Sequence, residues 1–394
     1  ILVRSGNYAH LLLTGRSLAV AAGTGHLPVL AGASVDQVPA GGLVVLDGLN
    51  LNGGAQPGLL VTKPGLRVTT CTGPVWVEDC TVSGADGDGT APLGLFADGS
   101  PGIEAVDAAD LTLTRCTVRA GDGPHEQWIL GSLLVSNGEG GTAIEAKGSS
   151  LAVYDSELHG GSGGNSSEGF GRDGGHSIWL DSGDLVAVGN ELWSGDGGLG
   201  GNYIDPVFGF QCSGGGDAGD GIGLPGAGQS VHLAHIVFNP GTPGQPGGTP
   251  GSGFFCWPGA QGALLPALAP QVEWMPIDLF QLTSSDPVRE QQTVTITVNG
   301  SPGVVTQLVV SGAPGWLDLS PSVGFALVEL TGAWVLPLGV TSGTGQASMT
   351  MQIPDLVPPG ESLGLFLQVL ALDPVSGQIS LGSATELTIL DAAL

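Results

Sequence analysis

Six stretches of the chain repeat one pattern of apolar and polar positions. They start at Val44, Val75, Leu111, Leu151, Leu185 and Val231 and align without gaps. The first, third and eighth residues are apolar in every stretch, as in Val44, Leu46 and Leu51, or Val231, Leu233 and Phe238. Alternation at a period of two predicts a strand with one face in and one face out. The change from odd to even positions predicts a bend between two short strands. A further strand precedes most stretches, beginning at Ile103, Ile144, Ile178 and Ile222. Each unit reads strand, tight turn, strand, bend, strand, Gly-rich loop, and none contains a helical period.

A lone strand leaves its backbone groups unpaired, so each unit must pair with its neighbours. Stacking in parallel on the next coil, about 4.8 Å away, predicts a parallel β-helix, with the right hand favoured by strand twist. The starts are 31, 36, 40, 34 and 46 residues apart, so the loops vary while the strands keep their length. Stacking makes columns. The sixth position (Leu49, Cys80, Cys116, Ser156, Asn190, Ile236) reads as an inward column at the bend. The fifth carries Asp79, Arg115 and Asp155 on successive coils, an outer ion ladder worth less than about 1 kcal/mol per exposed pair. Residues 1–43 read as earlier coils of the same kind. The segments 84–102, 120–142, 160–177 and 194–221 leave at one corner and form a lateral surface, the natural place for a binding site.

The pattern changes after the last stretch, which puts the β-helix at 1–238. Residues 239–270 are Pro/Gly-rich and read as a linker or an ordered loop. Residues 271–394 hold about seven strands spaced by turn signals, which predicts an antiparallel β-sandwich. The fold class is thus all-β, a β-helix followed by a sandwich. The second domain has no His and one cation, Arg289, so acid–base chemistry is not expected there. It is placed to cover the unpaired strand edges at the C-terminal end of the β-helix.

Composition then narrows the picture. Glycine supplies 71 of 394 residues, and the formal charge is -27 from 36 acidic and 9 basic residues. Such asymmetry often marks disorder, but 41% of the residues are hydrophobic, enough to build cores. No apolar run reaches the roughly 18 residues of a membrane span. Nine scattered cations do not make a phosphate track, so nucleic acid is excluded as a direct partner. The acidic, Lys-poor composition fits a secreted or surface protein. The chain opens at Ile1 inside a strand, so either a leader has been removed or residues are missing upstream.

Candidate chemistry is sparse. Cys212 and Cys256 lie in irregular stretches that a disulfide would restrain, and Cys80 and Cys116 on neighbouring coils read as packing thiols, with a bridge or metal site left open and Cys71 unassigned. Asp86 and Asp88 resemble the start of a Ca²⁺ loop without its remaining ligands; Ca²⁺ is the one cofactor considered, and a solvated acidic turn is the competing reading. Phe170, Trp179 and Trp193 are candidates for stacking on a sugar ring, or for packing beneath the loops. His159 and His176 flank one loop and could meet, whereas His232 and His235 face opposite sides of a strand.

The opening ILVRSGNY, the recurring rows and the Gly-rich loops resemble right-handed parallel β-helix proteins of the pectate-lyase-like superfamily. More narrowly, with the C-terminal stretches from Leu336, Leu363 and Ala384, the chain resembles Gly-rich secreted β-helix proteins of planctomycete-type bacteria. Lyases of this kind imply an Arg or Lys base, often with Ca²⁺. The row from Val75 faintly resembles a pectate-lyase wall motif, but Cys80 stands where a His should follow. The Arg-x-Pro-x-x-Arg pattern and the Asn-Thr-Asp, Gly-His-Gly and Arg-Ile-Lys patterns of polygalacturonases are absent. The leading expectation is a non-catalytic extracellular structural or adhesive protein that self-associates through the β-helix end. The alternative is a polysaccharide-active enzyme or carbohydrate-binding module that uses the loop face.

Overall fold

A computed structural model describes residues 1–54, 63–87, 98–129, 132–135, 137–205, 209–226, 229–247, 256–266, 272–284, 287–320, 322–355 and 362–391. Three parallel sheets wind around one core. Sheet A has nine strands from Leu2–Val3 to Val272–Trp274, sheet B eight from Gly6–Tyr8 to Val237–Asn239, and sheet C seven from Leu11–Thr14 to Ile222–Gly223. The first and third residues of the six stretches pair in register across sheet A, as in Val44, Val75, Leu111 and Leu151. Their side chains are buried in one continuous apolar column with those of Leu51, Val82, Ile103 and Ile144. Each such side chain stabilises the fold by about 1.5–3 kcal/mol relative to exposure.

One residue makes the bend between sheets A and B. The fifth positions, Gly48, Asp79, Arg115, Asp155, Gly189 and His235, all adopt a left-handed backbone with φ between 50° and 69°. That single reversal moves the next side chain inside, which is why odd positions give way to even ones. The inward residues then bond from coil to coil. Leu49 N–H donates to Cys80 Sγ (3.4 Å), Cys116 N–H to Ser156 Oγ (3.0 Å), and Ser156 N–H to Asn190 Oδ1 (2.9 Å). Cys71, Cys80 and Cys116 are free thiols in this core. Burial raises all three thiols, Cys116 to about 12, so they stay protonated.

The second domain packs a three-stranded sheet (Gln281–Ser284, Thr293–Asn299, Gln346–Gln352) against a five-stranded one. The latter runs in the order Val288–Arg289, Ile379–Leu390, Ser362–Leu372, Val305–Ser311, Trp334–Val340, and a hairpin of Pro314–Ser320 and Gly324–Val328 flanks it. Their shared core includes Leu282, Ile296, Leu308, Val369 and Leu387.

Two boundaries differ from the sequence reading. Val272–Trp274 pairs in parallel with Ser230–Ala234, so the β-helix extends past 238, and the described residues of the Pro/Gly stretch bond to its coils as an ordered loop rather than a linker. The sandwich also does not sit on the end of the solenoid; it lies along the outer face of sheet A. Val45, Trp76, Ala152, Tyr154, Val186 and Val188 point outward there and share a buried cluster with Val309, Phe325, Leu327 and Phe366. Trp76 meets Phe366 edge-on at 5.2 Å. The physical reason is area: the outer face of sheet A is largely apolar, and that surface needs a cover.

Candidate functional site

The lateral surface is an ordered wall built of glycine. From the coil of Val75 onward, an outgoing arm leaves sheet B and an incoming arm returns toward sheet C. Neighbouring outgoing arms bond at every third residue: Ala120, Gly123 and Glu126 N–H donate to the carbonyls of His159, Ser162 and Asn165 at 2.8–2.9 Å. Gly160, Gly163 and Ser166 repeat this with Trp193, Asp196 and Leu199 at 2.8–2.9 Å. A three-residue period with bonds only between arms is the geometry of polyproline-II-type helices.

The outgoing and incoming arms form two layers joined by zigzag ladders. In one, Gly121, Gly141, Gly161, Gly175, Gly195 and Gly219 each donate an N–H to the carbonyl of the arm before it: Ser100, Gly121, Gly141, Gly161, Gly175 and Gly195, at 2.7–3.0 Å. A second ladder, one turn farther out, runs through Gly138, Gly164, Arg172, Gly198, Gly216, Gly244 and Gly259. None of these ladder glycines has a left-handed φ. They are needed for space: a Cβ on Gly121, Gly161 or Gly195 would stand under 3.0 Å from a backbone carbonyl of the preceding arm in the same layer, and one on Gly123, Gly160 or Gly163 as close to a carbonyl of the facing layer.

Acidic side chains hem the wall. Asp86 accepts the Asp122 N–H (3.0 Å), Asp122 the Ser162 N–H (2.7 Å) and Asp196 the Thr242 N–H (2.6 Å) on the outgoing layer. Asp98 accepts from Glu139 (2.9 Å), Asp173 from Asp217 (2.8 Å) and Asp217 from Ala260 (2.6 Å) on the incoming layer. Asp86 therefore has a structural bond, and Asp88 lies outside the described residues. Among the described residues no group of three or more Asp, Glu, His and Cys side chains is arranged to hold a metal ion. At the outer margin Cys212 and Cys256 form a disulfide with Cα atoms 5.9 Å apart, joining an incoming arm to the next coil.

The three aromatic candidates do not converge. Trp193 stacks on His159 (5.7 Å) beside the outgoing layer, and Trp179 stacks on His176 (4.8 Å) beside the incoming one. The two histidines thus lie apart, each on its own tryptophan, and burial lowers the pKa of both. Phe170 is 72% exposed at the tip of an incoming arm. Gly223, the register partner of Trp179 on the next coil, leaves room for its ring; a Cβ there would strike it. Glu139, Thr142, Glu145, Asp173, His176 and Trp179 line a cleft of about 260 Å³ along sheet C. Burial raises Glu139 and Glu145, with help from Asp98 and Asp173 on the first and Glu104 on the second. His176 Nδ1 accepts the Asp220 N–H (2.9 Å), which puts its proton on Nε2.

The expected outer ion ladder is a half-buried interdomain cluster instead. Arg115 does pair with Asp79 (2.9 and 3.0 Å), but it also pairs with Glu78 and donates to the Leu282 carbonyl (3.0 Å) and to Thr385. Asp155 accepts from Gln281 Nε2 (3.1 Å) rather than from Arg115. Glu78 is the hub, accepting from Trp76 Nε1 (2.7 Å), the Glu386 N–H (2.7 Å), Thr385 and Arg115. Burial opposes the charge on Arg115, but Glu78 and Asp79 overcome it. Asp47 is raised to about 7 by burial, then by Glu78 and Asp79; Glu386 is raised to about 8 by burial, then by Glu78. The fourth position of the first two stretches (Asp47, Glu78) signals this cluster, because outward carboxylates there sit among outward apolar residues.

No protein-family profile matches the chain, and no curated protein matches it. Among solved structures, a superoxide reductase (neelaredoxin) from Ignicoccus hospitalis aligns with 28% of this chain and 80% of its own at 6% identity, with a TM-score of 0.17. A score that low carries no argument about fold or function.

Proposed function

We propose that this chain is an extracellular structural or adhesive protein that holds out a rigid glycine wall and assembles through the end of its β-helix. One observation supports this best. The three parallel sheets stack coil on coil along one axis, from Leu2–Val3, Gly6–Tyr8 and Leu11–Thr14 onward, a regular shaft of the kind that a further copy can continue. Open parallel edges template further pairing. A cleft of about 530 Å³ opens there, lined by Ile1, Leu2, Val3, Tyr8, Leu11 and Leu30, and Leu12 is 64% exposed beside it. A head-to-tail contact need not close, so it extends into a filament. The disulfide of Cys212 and Cys256 supports an oxidising, secreted or surface location. Light scattering and electron microscopy across a concentration series test the reading. Filaments that Leu12→Lys disperses support it, and monomers at every concentration sink it.

The cleft beside Trp179 favours a second reading, polysaccharide binding or cleavage in the manner of the pectate-lyase-like superfamily. A glycan array with the full chain, followed by ultraviolet detection of unsaturated products with and without Ca²⁺, separates binding from lyase chemistry. No bound glycan and no product removes it.

A further inference from the structure

The nine cations of this chain are widely scattered, yet two of them line one cleft. The cleft lies between the first coil and the sandwich, holds about 770 Å³, and is lined by Arg4, Thr24, His26, Arg289, Gln292 and Thr293 together with apolar and glycine residues. Among the described residues none that lines the cleft is acidic, in a chain with 36 acidic residues. The donors are set by their surroundings. His26 Nδ1 accepts the Ser5 N–H (3.1 Å), so its proton sits on Nε2. Gln292 Oε1 accepts the Arg289 N–H (3.0 Å), which occupies the amide's oxygen and leaves its NH₂ as donor. Arg289 Nη1 reaches the Asp391 carbonyl (3.4 Å), a long contact on one of its two terminal nitrogens.

We propose that this cleft is a binding site for a multiply charged oxyanion, a polycarboxylate or a phosphate. Guanidinium forks pair bidentately with both groups, and hydroxyl, imidazole and amide N–H or O–H donors complete such a shell. The net charge of -27 repels anions from the rest of the surface, so a cation-lined cleft is where one can dwell. The site joins the two domains, so an occupant ties them together. It is independent of the assembly reading, because it requires one chain only.

Citrate and inorganic phosphate are the probes, titrated into the full chain by calorimetry and by thermal unfolding against sodium chloride at matched ionic strength. At least one anion is expected to bind and to raise the unfolding temperature. Arg4→Ala and Arg289→Ala should each weaken it about tenfold, while Lys147→Ala, whose side chain pairs with Asp181 (3.8 Å) on sheet C, leaves it unchanged. Binding of citrate alone identifies a polycarboxylate, and of phosphate alone a phosphate. No heat and no stabilisation beyond sodium chloride overturns the proposal. So does undiminished affinity in Arg4→Ala, whose exposed side chain makes the variant safe for folding.

Discussion

Replacing Gly161 with Ala tests whether the lateral surface is a packed wall or a set of loops. Gly161 is buried, donates its N–H to Gly141 (2.9 Å), and accepts from Gly175 (2.7 Å). Its φ is ordinary for any residue, so the backbone itself admits Ala. The new methyl, however, would stand under 3.0 Å from the carbonyl oxygen of Gly121. To reach normal contact the two neighbouring outgoing arms must part by about an ångström. Overpacking of this kind costs about 1–3 kcal/mol, and each cross-layer bond broken adds about 0.5–1.5 kcal/mol. The expected loss is about 2–6 kcal/mol, a large share of the roughly 5–15 kcal/mol that holds an ordinary domain together. Gly54→Ala is the control. A Cβ there meets nothing within 4 Å, and the change should stay within about 0.5 kcal/mol. Urea unfolding followed by circular dichroism measures the difference, and hydrogen–deuterium exchange of residues 160–177 localises it. A Gly161→Ala protein with native midpoint and native exchange in that segment refutes the packed wall.

The interdomain cluster should make docking of the sandwich weaken with alkali. Asp47 and Glu386 titrate in the folded chain near about 7 and about 8, above the usual carboxylate range, so their stabilisation is complete below about pH 4 and is lost as pH rises through those values. The unfolding temperature should therefore fall between pH 5 and pH 9, and Glu386→Gln should flatten the upper part of the profile; a temperature that rises over this range contradicts the assignment. Reduction of the Cys212–Cys256 disulfide should destabilise the outer wall by about 2–4 kcal/mol, read as a lower unfolding temperature in reductant, and an unchanged one means the bridge restrains nothing. Asp196→Ala removes the acceptor for both the N–H and the hydroxyl of Thr242 (2.6 and 2.8 Å) and should cost about 0.5–1.5 kcal/mol; equal stability by urea unfolding would mean that water replaces the carboxylate without loss.

The solenoid was legible because its signal is periodic. Alternation at Val44, Leu46 and Leu51 and its repeats located the strands, the bend, the inward column and the corner from which the arms leave. The arms themselves were not legible as structure. Strands advertise themselves through side chains on alternate faces, whereas a polyglycine layer packs by having none. The trace it leaves is glycine at a spacing of three, as in Gly195, Gly198 and Gly201 or Gly241, Gly244 and Gly247. The place of the sandwich was missed for a related reason. Strict alternation implies a solvated outer face, but the second positions of the rows (Val45, Trp76, Ala152, Val186) are apolar too, and that excess marks a covered face. Arg115 reads as a ladder rung because Asp79 and Asp155 stand at its own position on the coils either side, whereas Glu78, one residue before Asp79, is a partner that only the docked sandwich explains.

The glycine content and the acidity have one physical origin. Close packing of polyproline-II arms requires residues without Cβ wherever one backbone meets another, within a layer at the ladder glycines and between layers at Gly123, Gly160 and Gly163. Between neighbouring arms, every third N–H is met by the adjacent arm, and those left over on the outer faces need another partner. Asp is suited to this: a short side chain folds back onto the backbone and accepts an N–H from the next coil, as Asp86, Asp122, Asp173 and Asp217 do. Lys and Arg carry only donors and cannot take that place. A wall of this design favours carboxylates, and Asp86, Asp98, Asp122, Asp173, Asp196, Asp217 and Asp220 owe their place in the acidic total to its backbone bonding. It follows that substituting these aspartates with Asn, which keeps the accepting oxygen, should preserve the wall while reducing the charge. The same positions changed to Lys should open it, and exchange rates in the arms would separate the two series.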